Sequence, residues 1–381
     1  THFLHLVDFV RSFGVTGRGW RTAQKNWFLS KSADQLVYQL MKYQSRDGWS
    51  MRDVLRMARP KGTGLHQELF RWVVRGWDDI PNEAPSDEVL ARIWAVETLK
   101  RVKDKRLAVN LIADYRLPRE VVPTELLREP EVWEALLPNL GFEGMIRNLA
   151  TMTKVGLIAP FSQATAYVRN ELWNQERIKK SRIHPIKVLA ALLTYKSGQG
   201  VRGSNTWTPV QPIVDDLDQV FYASFGNVTP IGKPVVLALD KSASMFAGEV
   251  AGVPGLTPGV AAAAMALVTA NVEPNYHIML FDTSFRPAEF SPRWRLDQVV
   301  DYMRRGDFCG TDCSLPMQWA RGYRINYRSY KRDGRLVPGI EGFVVYTDND
   351  TWAGAIHPSE ALRAYREEAG VNSKLVVVGM T

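Results

Sequence analysis

The chain has 381 residues, 45% hydrophobic and 23% charged, with a mean hydropathy of −0.20 and a net charge of +8. This composition is that of a globular protein of roughly two or three domains. No apolar run reaches the ~18 residues of a membrane helix, and two cysteines, Cys309 and Cys313, with no His near them in sequence, are too few for a zinc site and suit a reducing, cytoplasmic setting. The charge is uneven. Residues 1–210 carry 32 Lys and Arg against 21 Asp and Glu, a net of +11, whereas residues 211–381 carry 16 against 19, a net of −3. A basic first half suits a polyanion, nucleic acid above all, although a solvated basic surface would read the same way. The opening Thr1-His2-Phe3 has neither a Met nor the pattern of a signal peptide, and both ends read as those of a chain cut from a longer one.

In chain order, residues 1–60 read as four amphipathic helices. Leu4, Val7, Phe9, Val10 and Phe13 recur on one face before Gly14, Trp20 to Phe28 form a second helix, and Leu36 to Met41 lie in a third, about Ala33 to Gln44. Asp47-Gly48 is a turn signal, and Ser50 with Asp53 three residues on is a capping-box variant. The helix it opens puts Val54, Leu55 and Met57 on one side. Arg52, Arg56 and Arg59 recur at i, i+4 and i+7 on the other, where they repel one another unless an anion lies against them.

Residues 64–150 continue as helices broken at Pro81–Ser86, Pro118, Pro123 and Pro138–Gly141, and Trp72, Trp77, Trp94 and Trp133 read as packed core. Helix pairs of this length suit a HEAT-type solenoid. The most basic stretch follows, with Arg177, Lys179, Lys180, Arg182 and His184 leading to Pro185, a helix start whose chemistry suits a phosphate contact. The Gly- and Ser-rich 197–211 reads as a linker, and Asp215 to Phe225 as one more helix.

From residue 230 the pattern alternates. Val235–Leu239 is a buried strand running into Asp240-Lys241-Ser242-Ala243-Ser244. Strands at Tyr276–Phe281, Phe343–Thr347 and Lys374–Val378 alternate with helices at Gly259–Asn271, Leu296–Arg305, Leu315–Gly322 and Glu360–Ala369. That is the signature of a doubly wound parallel sheet. Arg321–Glu341 reads as a long polar insertion, a mobile loop. Asp240, Ser242, Ser244, Thr311 and Asp348 lie on loops at the carboxyl ends of strands, where such sheets gather ligands, and their oxygens suit a hard cation such as Mg²⁺. Neither a P-loop nor H-E-x-x-H nor G-x-S-x-G occurs, and Asp78-Asp79 and Asp215-Asp216 have no convergent partners, so an enzyme is not expected.

The strand-end set resembles the metal-ion-dependent adhesion site (MIDAS) of von Willebrand factor A domains. By that resemblance Ser242, Ser244 and Thr311 bind the metal directly, Asp240 and Asp348 bind it directly or through water, and one position stays open for a partner's carboxylate. Lys42–Arg56, Glu131–Leu137 with Ile146–Leu149, Arg182–Pro185, Gly310–Pro316 and Tyr346–Gly354 together resemble the Ro autoantigen family in its bacterial or phage form, a TROVE module joined to a von Willebrand factor A domain. The resemblance covers nearly the whole chain, and the Arg321–Glu341 insertion departs from it. It implies a ring of HEAT-like α-helical repeats (1–205 with helix 212–226) followed by a Rossmann-like α/β domain (230–381) lacking its last strand and helix. It further implies a cytoplasmic, monomeric noncoding-RNA-binding scaffold for RNA quality control. Such a scaffold takes single-stranded 3′ ends of misfolded RNA in the ring's basic hole, with Arg52, Arg56 and Arg59 the candidates for phosphate contacts in or near it, and Y RNA outside, where His184 matches a Y RNA position and Arg177, Lys179, Lys180 and Arg182 are its basic neighbours. In bacterial relatives a Y RNA tethers the ring to an exoribonuclease such as polynucleotide phosphorylase. The alternative is a metal-dependent protein-adhesion module presented by a helical solenoid.

Overall fold

The computed structural model describes residues 2–77, 80–201, 204–305, 310–326, 339–348 and 353–380, with backbone alone at His2 and 323–326. Asp78, Asp79, Arg202, Cys309, Asp350 and most of the 321–341 insertion lie outside the described residues. The chain divides into two compact units, Thr1–Ala164 and Thr165–Thr381.

The first unit is helical: α1 (His2–Ser12), α2 (Arg18–Leu29), α3 (Ala33–Lys42), α4 (Met51–Ala58), α5 (Leu65–Arg75), α6 (Glu88–Leu99), α7 (Lys105–Asp114), α8 (Pro130–Leu136) and α9 (Phe142–Lys154). Between α3 and α4, β1 (Ser45–Arg46) and β2 (Trp49–Ser50) form a two-residue hairpin. Its central Asp47 and Gly48 both have positive φ, 50° and 76°, as the tight hairpin turn requires. The capping box closes: Asp53 N donates to Ser50 Oγ at 3.1 Å and Ser50 N to Asp53 Oδ2 at 3.0 Å. Trp72 and Trp133 are core residues as their spacing predicts. The apolar face predicted for α1 is split, however. Leu4 and Val7 are buried, while Phe9 and Phe13 are exposed and pack edge-on against each other. Hydrophobic spacing fixes which residues share a helix face, but not how wide a stripe of it the neighbouring helices cover.

The second unit holds α10 (Gln163–Trp173, from its third residue), α11 (Gln175–Ser181), α12 (Pro185–Ser197), α13 (Gln211–Ala223) and the sheet domain. In the latter, β3 (Val235–Asp240), α14 (Pro258–Val272), β4 (Tyr276–Phe281), β5 (Phe285–Pro287), α15 (Leu296–Met303), α16 (Leu315–Asn326), β6 (Gly342–Thr347), α17 (Pro358–Ala369) and β7 (Lys374–Gly379) follow in order. The strand order is β5-β4-β3-β6-β7, parallel except for the short edge strand β5, which pairs antiparallel with β4 and has no sequence signal of its own. Every residue of β3 is buried, and each of its large apolar side chains contributes roughly 1.5–3 kcal/mol to folding. From β3 the chain builds first to one side (β4) and then to the other (β6). The switch point of the sheet therefore opens at the carboxyl end of β3, at Asp240.

Two expectations shift. The segment 197–211 is not a free linker. Gly198 caps α12 at φ 72°, Trp207 N donates to Gly198 O at 3.0 Å, the Trp207 indole donates to Tyr195 O at 2.9 Å, and Val210 N donates to the Tyr195 hydroxyl at 3.2 Å. Helix α13 packs with the sheet domain in the second compact unit: Arg295, the N-cap of α15, pairs with Asp218, and Leu296 N donates to the Tyr222 hydroxyl at 2.9 Å. Helix α16 runs on to Asn326, four residues past the predicted end at Gly322, since Gly322 weakens a helix without ending it.

Candidate metal centre and nucleic-acid interface

The end of β3 carries Asp240 into a shell of hydroxyls. The carboxylate is fully buried. Its Oδ1 accepts from Ser242 N at 2.8 Å, closing a local turn that points the chain away from the strand. Its Oδ2 accepts from Thr347 Oγ1 at 2.8 Å and from Thr311 Oγ1 at 3.4 Å. Ser242 Oγ and Ser244 Oγ lie 3.1 Å apart on the short 3-10 turn that follows. Burial pushes the Asp240 carboxyl above its usual value, the bonds from Ser242 and Thr347 offset part of that, and the Asp348 charge adds to it.

Two further loops hold this cluster in place. Asp312, next to Thr311, accepts from Ser314 N at 2.9 Å and from Ser314 Oγ at 2.5 Å. Gly354, at φ +107°, passes so close to the Asp312 carboxylate that a Cβ there would sit 2.6 Å from it, so only glycine fits. Ala353 N donates to Thr311 O at 3.2 Å. On the other side Lys241, the second residue of the Asp-x-Ser-x-Ser run, turns inward to Asp282, Nζ to Oδ2 3.5 Å, with both side chains buried. Burial works against the Asp282 carboxylate, but Ser284 and the Lys241 ammonium outweigh it and hold its carboxyl below the usual range.

Asp240, Ser242, Ser244 and Thr311 are thus brought together, with Asp348 acting on Asp240 through its charge. Among the described residues no group of three or more His, Cys, Asp or Glu forms a metal cage. The donor set here is chiefly hydroxyl, one desolvated carboxylate with oxygens around it, and that chemistry fits a hard divalent cation that keeps some water. Thr347 has no sequence signal beyond its place beside Asp348. Parallel pairing of β3 with β6, which sets Tyr346 opposite Leu239, is what delivers its hydroxyl to Asp240.

The basic stretch is a second, separate arrangement. Helix α11 ends in Lys179 and Lys180, both exposed, and Arg182 follows in a left-handed conformation at φ 51°. His184 caps α12, its Nδ1 facing Ile186 N at 3.3 Å, and Pro185 occupies the first helical position. Asn227 spans the loop from behind, donating to Ile178 O at 3.2 Å and Ile183 O at 3.0 Å. Burial, then the Lys187 charge, holds His184 below its usual value, so at neutral pH it offers Nε2 as an uncharged group. Arg177 stands apart, because its guanidinium pairs with Glu171.

The arginine stripe of α4 does not stay together. Arg59 is the C-cap, turned left-handed at φ 49°. Arg56 and Arg59 line one cavity of about 490 Å³ with Arg11 and Arg21, whereas Arg52 lines another of about 320 Å³ beside Arg75, Lys100 and Glu97. Arg52 and Arg56 both lie within α4, but Arg52 borders α5 and α6 whereas Arg56 borders α1 and α2, so the neighbouring helices divide the stripe.

The sequence comparisons agree with this architecture. Residues 234–381 match the model of the Ro60 vWA domain, and residues 1–117 and 115–193 match that of the TROVE domain. The RNA-binding protein RO60 of Deinococcus radiodurans is 39% identical over 385 aligned positions, covering 100% of this chain and 69% of that protein. The chain belongs to the Ro60 family. The RNA-binding protein RO60 of Caenorhabditis elegans is 33% identical over 99% of the chain, which spans only 64% of that relative's length. Among solved structures, the crystal structure of the Deinococcus radiodurans RO (RSR) protein superposes with a TM-score of 0.81 at 38% identity, over 99% of this chain and 73% of that one. In Ro60 terms the Asp240 cluster belongs to the vWA domain. The loop from Arg177 to His184 lies in the TROVE match.

Proposed function

We propose that this Ro60-family chain is a noncoding-RNA-binding scaffold that works without catalysis. It takes Y or Y-like RNA on the loop Lys179–His184 and single-stranded ends of misfolded RNA elsewhere on its basic helices, as part of cytoplasmic RNA quality control. Recruitment of an exoribonuclease would follow from the bound RNA. The observation that carries this reading is the exposed cation group Lys179, Lys180 and Arg182 beside His184, held on a braced loop within the basic half of the chain. The Deinococcus and Caenorhabditis relatives both bear the name RNA-binding protein. Phosphate contacts of this kind give salt-dependent, loosely sequence-specific binding.

Mg²⁺ is the proposed occupant of the oxygen cluster, held by Asp240, Ser242, Ser244 and Thr311 with Asp348 beside them. When bound it would offer an open position to an acidic group of a partner protein. The desolvated Asp240 carboxylate supports this second role, and it also sustains the rival reading in which protein adhesion is the main activity. Fluorescence anisotropy with a labelled Y-type RNA hairpin separates the two. Replacing Lys179, Lys180 and Arg182 together by Glu is expected to weaken binding by about tenfold or more at 0.1 M salt and to flatten its salt dependence. Unchanged affinity in that variant and in His184→Ser would remove RNA from this surface and leave the adhesion reading standing.

A further inference from the structure

Lys241 is the one cation in the run from Asp240 to Ser244, and it does not turn toward the oxygens. Asp240 reaches to Thr347 at the end of β6, and Lys241 reaches the other way, to Asp282 just past β4. Both side chains of the pair are buried, at 4% and 7% exposure. There the two charges lose hydration that one contact of 3.5 Å does not fully return, and apolar residues of similar volume commonly hold a fold as well or better. Stability alone is therefore a poor account of the pair.

Its connections offer a better one. Lys241 N donates to Phe281 O at 3.0 Å, which carries the pairing of β3 with β4 one residue past Asp240. Asp282 Oδ1 accepts from Ser284 N at 2.6 Å and from Ser284 Oγ at 2.7 Å, so the carboxylate is fixed and presents Oδ2 to the Lys241 ammonium. Asp282 O in turn accepts from Asp312 N at 3.0 Å. One residue thus holds the loop of Ser242 and Ser244 through its side chain and the loop of Thr311 through its backbone. These are the two loops whose hydroxyls surround Asp240.

We infer that Lys241 and Asp282 are positioning residues of the oxygen cluster, a buried tie that fixes the spacing of its two hydroxyl loops and so the size of cation that fits. The inference rests on the Mg²⁺ reading above and adds to it a reason for preferring Mg²⁺ to Ca²⁺. Mg²⁺ demands near-ideal octahedral oxygens at about 2.0–2.1 Å, whereas Ca²⁺ accepts more oxygens at about 2.3–2.6 Å in flexible geometry. Selecting the smaller ion needs loops that cannot part.

The test is titration calorimetry of Mg²⁺ and Ca²⁺ into the whole chain, with melting temperatures recorded beside it. The unaltered chain should bind Mg²⁺ more tightly than Ca²⁺. Lys241→Met with Asp282→Asn removes both charges together and keeps an acceptor for Ser284, so no unpaired charge stays buried. It should weaken Mg²⁺ binding about tenfold or more, as loss of a partner outside the coordination shell does, and Ca²⁺ binding less than about threefold. Lys241→Arg keeps the charge on a longer side chain and should move the ratio of the two affinities in the same direction. Tyr365→Phe is the control for stability. It takes the acceptor from Ile340 N, ahead of β6 and away from Thr347, and should lower the melting temperature with the ratio unchanged. If the paired variant keeps the ratio of the unaltered chain, or loses both cations equally, the inference fails while the metal reading stands. An unaltered chain that takes Ca²⁺ as tightly as Mg²⁺ overturns it as well. If the unaltered chain binds neither cation, the metal reading falls and the inference with it.

Discussion

Asp240 shows how one residue can be both a liability and a device. Its carboxyl is raised above the ordinary value of 3.8, so the folded state binds the proton more tightly than the unfolded chain does. The stabilisation this supplies is complete below pH 3.8 and is lost as pH rises through the elevated folded value, leaving at neutral pH a buried charge that its hydrogen bonds offset only in part. Asp240→Asn is therefore expected to raise the melting temperature at pH 7 in the absence of divalent cations. Mg²⁺ should raise the melting temperature of the unaltered chain but not of the variant, and its effect should fade in acid as the proton competes for Asp240. A calorimetric series with and without Mg²⁺ checks all three. A variant that melts lower than the parent in EDTA would contradict the account of Asp240 as a strained anion.

At the scale of elements, the chain's local rules are honoured where they are local. The Asp47-Gly48 hairpin and the Ser50–Asp53 box form as their residue types dictate, because turn and cap energies are settled within four residues. The basic loop between α11 and α12 is different, since its shape depends on Asn227, more than forty residues downstream. Asn227→Leu would leave Ile183 O without its donor, Ile178 O keeping the Ser181 hydroxyl, at a cost of about 1–3 kcal/mol. Urea denaturation should show that loss as a lower midpoint, and Y-type RNA affinity should fall with it although no cation is touched. Equal affinity in the variant would mean that the loop is shaped by its own residues alone.

At the scale of the molecule, charge and chemistry are divided along the chain. Residues 1–210 hold the excess of +11, and the oxygen cluster draws only on residues 240–348 and carries none of that excess. The two proposed activities should accordingly separate in a crossed experiment. Asp240→Asn is expected to change Y-type RNA affinity less than twofold in EDTA, and the Lys179, Lys180, Arg182 charge reversal to leave the Mg²⁺-dependent gain in melting temperature intact. Loss of both properties in either variant would tie the oxygen cluster to RNA binding.

What contiguous chemistry can settle was legible before folding. A run of apolar residues ending in Asp-x-Ser-x-Ser reads as a buried strand delivering oxygens to its carboxyl end, and the family motifs placed it in a Ro-type α/β domain after a helical one. Thr311 was legible for the same reason, lying on a loop at that end of the sheet. The remainder turns on register and on contacts between distant segments, which exist only once the chain has folded. Parallel pairing of β3 and β6 made Thr347 a donor to Asp240. Packing drew Lys241 inward to Asp282 and pinned residues 197–211 to Tyr195. Neighbouring helices separated Arg52, which borders α5 and α6, from Arg56 and Arg59, which line a cavity completed by α1 and α2. No window of sequence contains those neighbours, so no periodicity could have named them.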